Sequence, residues 1–171
     1  MAFTITTKGK NLFGACNVGY GAGGELAFMG VPTVLTDRII FHLPGYAFVG
    51  SNAECYYKSV ALEPKEAYIF SYTIEPSDAL CTVRVYEAWN SPYYVGESTN
   101  FTFTPEGTGA MVFISNYNSP KSFTISNIHL QKASQPSQSA TVNDELFGFE
   151  GVYDTIESDG SVTKYWKRET K

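Results

Sequence analysis

The chain predicts an all-β sandwich or barrel, and three observations predict it. Apolar and polar residues alternate with a period of two over short runs, and no apolar stripe at helical spacing is sustained for three turns. Turn signals built on Gly, Pro, Asn and Asp separate those runs at regular spacing. Aromatic residues make up 15% of the 171 residues, nearly all Tyr and Phe, and with 15 Gly they favour strands and turns.

The elements come in this order. "FTITT" at residues 3–7 alternates and reads as a short strand. Gly and Asn then dominate as far as Gly24. "ELAFMGVPTVLTDRIIFHLPGYAFVG" is broken by Gly30, Pro32, Pro44 and Gly45, and it reads as short strands and loops. From Tyr56 there is a strand, a Glu-Pro turn and a second strand. In the second strand Tyr68, Phe70, Tyr72 and Ile74 share one face and are expected in the core. "CTVRVYEAW" puts Val83 and Val85 on one face and Arg84 and Tyr86 on the other. "NSPYYVGES" reads as a loop, and "NFTFTPEGTGAMVFISNY" as strand, Pro-Glu-Gly turn, strand. In "KSFTISNIHLQK" the apolar parity shifts by one between Phe123, Ile125 and Ile128, Leu130, which predicts an irregularity at Ser126–Asn127.

Beyond it, "KASQPSQSATVNDE" reads as a polar linker or an extended crossing segment. The chain then ends in a hairpin whose turn is Ser158-Asp159-Gly160. The expected organisation is a β-sandwich over residues 1–132, a linker or crossing segment over 133–150, and a C-terminal β-hairpin over 151–171. Two strands alone are marginal in water, so the hairpin has to lean on its own domain, a sister subunit or another protein.

Composition narrows the function classes. Hydrophobic residues at 43% against 17% charged suit a packed core. A net charge of −5 argues against nucleic acid, because phosphate binding needs a positive field. No run reaches the roughly 20 apolar residues of a spanning helix, so no membrane insertion is expected. "MAFTITTKGKNLFG" lacks the pattern of a secretory signal, so synthesis in a cytosol is expected, or a domain with an added Met. Cys16, Cys55 and Cys81 are odd in number and widely spaced, and they read as buried free thiols rather than a disulfide framework or a metal pair.

The catalytic motifs are weak. "GYGAGG" fits G-x-G-x-x-G at Gly19, Gly21 and Gly24, but Gly30 and Pro32 break the downstream run too soon for the helix a dinucleotide site needs. His42 and His129 have no second ligand at metal spacing, and His129 lies opposite Ile128 and Leu130. Carboxylates such as Glu54, Glu63 and Glu87 are scattered and read as a solvated surface. No catalytic residue, metal site or cofactor is expected.

The aromatic residues carry more. Tyr56–Tyr57 and Tyr93–Tyr94 place rings on adjacent positions, where a strand turns them to opposite faces, so one of each pair is expected to be exposed. With Trp89 and the amide of Asn90 they suit sugar binding, the ring stacking on the C–H face while polar groups bond the hydroxyls. The alternative is that the same rings pack the sandwich or an oligomer interface.

In order along the chain, "YYKSVALEPKEAYIFSYTI", "FTFTPEGTGAMVFIS" and "FTISNIHLQK" resemble the jelly-roll carbohydrate-binding modules. Phe123 to Leu130 sits on their last strand, with Ser126-Asn127 where the family carries an acidic pair. Asn11-Leu12-Phe13 is similar to the opening of such modules in bacteriophage tail and appendage proteins, and Gly151 to Thr163 is similar to the segment after their last strand. The resemblance covers about residues 11 to 165 and implies a jelly-roll sandwich. The absent acid departs from the family's structural metal site. The function so implied is a non-enzymatic virion protein of a tail, appendage or capsid decoration, made in the host cytoplasm, whose module attaches to surface glycans. A purely structural decoration protein is the alternative, and a glycoside hydrolase comes third. The expected partners are other virion proteins, further copies of this chain and a polysaccharide. Tyr153, Ile156, Tyr165, Trp166 and Lys167 of the hairpin are the candidates for assembly contacts.

Overall fold

The computed structural model describes residues 2–7, 9–23, 29–42, 44–45, 53–88, 91–135, 138–143, 149–156 and 162–168; residues 2–7, 88, 91–92 and those beyond 135 are described by their backbone. Fourteen strands are present among them. The first seven are β1 (Ala2–Thr7), β2 (Tyr20–Ala22), β3 (Thr33–Val34), β4 (Arg38–Phe41), β5 (Cys55–Ala61), β6 (Tyr68–Glu75) and β7 (Thr82–Ala88). The other seven are β8 (Ser91–Gly96), β9 (Asn100–Phe103), β10 (Gly109–Ser115), β11 (Phe123–Lys132), β12 (Gln138–Asn143), β13 (Phe149–Ile156) and β14 (Val162–Arg168).

Two five-stranded antiparallel sheets form the sandwich, in the orders β2-β5-β10-β7-β8 and β3-β4-β11-β6-β9. Without β2 and β3, which only extend the β5 and β4 edges, the chain passes between the sheets as two interlocked Greek keys. That is the strand order of a jelly roll. The expected fold class is therefore the observed one, down to the connectivity.

The core lies between the sheets and is aromatic. Tyr68, Phe70 and Tyr72 point inward from β6, as their alternation requires, and Ile74 packs at the edge. Val83 and Val85 of β7 and Phe123, Ile125, Ile128 and Leu130 of β11 complete the pattern. Phe13 enters between the layers, its ring 5.9 Å from Phe70 and 6.3 Å from Tyr56.

Two residues before Phe13, Asn11 ties this entry to β11. Its Nδ2 donates to the Ile128 carbonyl (3.0 Å), while its Oδ1 accepts from the amides of Phe13 (3.1 Å) and Leu130 (3.0 Å). The Leu12 amide donates to the Leu130 carbonyl at 2.7 Å. The "NLF" segment is thus a clamp on β11, with the amide serving backbone groups that have no strand partner there.

The irregularity expected at Ser126–Asn127 is a bulge: the β11–β6 register shifts between Ser126 and His129, and Asn127 adopts φ +53°. Cys16, Cys55 and Cys81 are free and buried. The segment 133–150, expected as linker or crossing chain, holds β12, which pairs antiparallel with β1 from Ala2↔Asn143 to Thr7↔Gln138. β13 and β14 form a two-stranded sheet, with Tyr153 opposite Tyr165 and Val152 opposite Trp166. The hairpin turn lies outside the described residues.

Candidate functional site

Alternation sorts each strand of the β2-β5-β10-β7-β8 sheet into an inner and an outer set. Tyr56, Lys58 and Val60 of β5 point inward, and so do Val112 and Ile114 of β10 and Val83 and Val85 of β7. The outer set holds Cys55, Tyr57 and Ser59, then Met111, Phe113 and Ser115, then Thr82, Arg84 and Tyr86. The registers align these into rows across the strands. Gly21, Tyr57, Phe113, Arg84 and Val95 face one another in one row, and Ser59, Met111 and Tyr86 in the next.

That outer face is apolar. Cys55, Tyr86 and Phe113 form a second buried cluster, distinct from the core between the sheets, with Met29, Tyr57 and Met111 packed on it. Phe113 (6% exposed) and Tyr86 (7%) make a floor, and half-buried Tyr57, Met111 and Arg84 make its rim. The Tyr86 hydroxyl donates to the Met111 sulfur at 3.6 Å. The Tyr57 ring occupies the space that a side chain on Gly21 would need, so the glycine lets the ring lie flat over the edge strand. The opposite sheet contrasts with this. Its outward positions are mostly polar, with Ser71 and Thr73 of β6, Thr102 of β9 and Thr124, Ser126 and His129 of β11 beside the half-buried Ile40 and Ile69.

Arg84 stands in that row between Phe113 and Val95. Its Nε is buried and has no hydrogen-bond partner, and no ion pair joins its guanidinium to a carboxylate among the described residues. Glu87, three residues on and so of the other parity, accepts from the Tyr93 hydroxyl at 2.6 Å.

The residues singled out from the sequence divide sharply. Tyr57 lies on the outer face as a stacking ring would. Tyr56 does not: it is 0% exposed in the core, its hydroxyl donating to the Cys16 carbonyl at 2.9 Å, so no sugar reaches it. One residue of that pair faces outward, as alternation demands. The same rule fails for Tyr93–Tyr94. The β7–β8 register shifts between Val85↔Tyr94 and Tyr86↔Pro92, leaving Tyr93 as the extra residue of a bulge, and both rings pack against the sandwich. Tyr94 stacks on Phe101 with centroids 3.5 Å apart and planes 3° from parallel. Segment 91–96, expected as a loop, is strand β8. Trp89 and Asn90 lie outside the described residues, as do the side chains of Tyr153, Ile156, Tyr165, Trp166 and Lys167.

Phe113, Met111, Arg84 and Tyr86 were missed as site residues. Their signal was present: "GAMVFIS" is apolar at both parities, which a strand with one solvated face would not be.

Two further clusters bear on the chemistry. Glu54, 8% exposed, accepts from the His42 amide (2.8 Å) and pairs with His42 Nδ1 (2.9 Å), while His42 Nε2 meets Thr33 Oγ1 at 2.7 Å. Inside the sandwich, Lys58 Nζ donates to the Ala15 carbonyl at 2.6 Å and sits 4.9 Å from the centre of the Phe13 ring. Burial pulls this ammonium below its ordinary range.

No family model matches the chain, and no curated protein matches it. Among solved structures, the chain is similar to the second N-terminal cellulose-binding domain of Cellulomonas fimi β-1,4-glucanase C, with TM-score 0.45 and 15% identity, covering 72% of this chain and 91% of that one. It is also similar to the enzymatically active domain of bacteriophage CBA120 tailspike protein 4, with TM-score 0.38 and 13% identity over 77% of this chain. The chain spans 19% of that tailspike structure.

Proposed function

We propose that this protein is a non-enzymatic carbohydrate-binding module that lays a glycan across the outer face of its β2-β5-β10-β7-β8 sheet. One observation carries the reading: the two outward faces of the sandwich differ, and among the described residues only this one bears a packed apolar cluster rimmed by a flat tyrosine and hydroxyl groups. Cys55, Phe113 and Tyr86 are themselves buried, so the surface this face offers a ligand is its half-buried rim of Tyr57, Met111 and Arg84. A pyranose suits it, because its C–H face stacks on the Tyr57 ring while its hydroxyls reach Ser59, Thr82 and Arg84. The finer assignment, attachment of a bacteriophage tail, appendage or capsid-decoration protein to surface glycans, rests on the ordered sequence resemblance alone.

A glycan array followed by titration calorimetry tests it. Tyr57→Ala is expected to weaken the glycan it finds by about tenfold, roughly the 1.4 kcal/mol of one stacked ring, in a protein that circular dichroism shows to be folded. Absence of binding to every polysaccharide, with tight association to tail or capsid protein, would favour the structural decoration reading. The Thr33–His42–Glu54 chain is the arrangement that would favour a hydrolase, which release of reducing sugar or acyl groups by the purified protein would reveal.

A further inference from the structure

We infer that the glycan is acidic and that Arg84 receives its carboxylate. This rests on the reading of the outer face as a sugar site and adds the class of sugar.

The chain has 17 acidic residues against 12 Lys and Arg, so acids are the more abundant partners. Yet none among the described residues is set against Arg84, which lies half-buried at the centre of the Tyr57–Phe113–Arg84–Val95 row. Nor does a backbone carbonyl compensate at Nε, whose buried N–H faces no protein acceptor. A guanidinium is donor-only, so it has no acceptor of its own to offer in exchange. Burying the Nε–H without an acceptor opposes folding, and a ligand carboxylate that accepts from it removes that cost. The neighbours exclude a macromolecular anion of high charge: Phe113, Met111, Tyr86 and Val95 surround one cation with apolar surface. A single carboxylate carried on a ring that stacks, as in a uronic acid, fits this setting. The planar fork meets a planar carboxylate through two parallel hydrogen bonds, and the ring carrying it lies toward Tyr57.

Affinity electrophoresis and calorimetry with the full chain are the test, using polygalacturonate and alginate as carboxylate probes, dextran sulfate as the sulfate probe, and dextran and xyloglucan as neutral probes. The expected result is binding to a uronate polymer that is tighter than to any neutral glycan, and that Arg84→Gln weakens by about tenfold or more. Arg84→Lys, which keeps the charge and loses the fork, is expected to recover only part of the loss. Circular dichroism confirms that each variant is folded. Unchanged uronate binding by Arg84→Gln overturns the inference. So does binding confined to neutral glycans or to dextran sulfate, and those outcomes leave the carbohydrate-binding reading standing. No binding to any glycan overturns both.

Discussion

A single amide holds the entry of the chain into the sandwich. Asn11 makes three hydrogen bonds, two of them to Ile128 and Leu130 of β11, and Leu130 is fully buried. Asn11→Ala leaves the Leu130 amide and the Ile128 carbonyl short of their partners. It is expected to lower the unfolding free energy by about 2–3 kcal/mol, read from urea denaturation, at the upper end for one side chain because a buried donor is orphaned. At the same scale, burial pushes the Cys16 and Cys55 thiols up to about 11 and raises Cys81 further. All three stay protonated at neutral pH, which makes them small core hydrophobes rather than nucleophiles.

Bulges in two strands decide which side chains the elements present. On β11 the extra residue sits where Asn127 takes φ +53°, its Nδ2 donating to Thr73 Oγ1 at 3.3 Å. Glycine accepts that conformation freely and a β-branched side chain does not. Asn127→Gly is therefore expected to keep the melting temperature within a few degrees, whereas Asn127→Val costs about 1–3 kcal/mol, both read by thermal denaturation. This bulge is legible in the sequence because apolar residues flank it on both sides and their parity changes. The β8 bulge is not, because two consecutive tyrosines look the same in either register.

At the scale of the molecule, strands β4 to β11 close both Greek keys, and β12 pairs with β1 rather than with either large sheet. β13 and β14 pair with each other as a separate ribbon. Truncation after Glu145 is therefore expected to leave the cooperative melt in place, measured by differential scanning calorimetry on the monomer. Loss of the transition would put the hairpin in the chain's own core. If the melt survives while sedimentation shows that self-association or binding to a partner protein is gone, the hairpin is an assembly element, consistent with the exposed edges of a two-stranded ribbon.

The sequence by itself determined the strands with one inward apolar set, the turns between them, the free cysteines and the β11 irregularity. Each is written in local alternation or in residues that tolerate few conformations. Its resemblance also pointed to the jelly-roll order. Which sheet presents the candidate site was decided only by tertiary structure. Arg84, Phe113 and Tyr57 are far apart along the chain and become neighbours through the β7–β10–β5 registers, and pairing across strands leaves no local periodicity to read. The fates of the tyrosines were settled in the same way. Tyr56 and Tyr57 obey the pleat, Tyr93 and Tyr94 escape it through a bulge, and an extra residue in a strand is fixed by its partner strand rather than by the residues themselves.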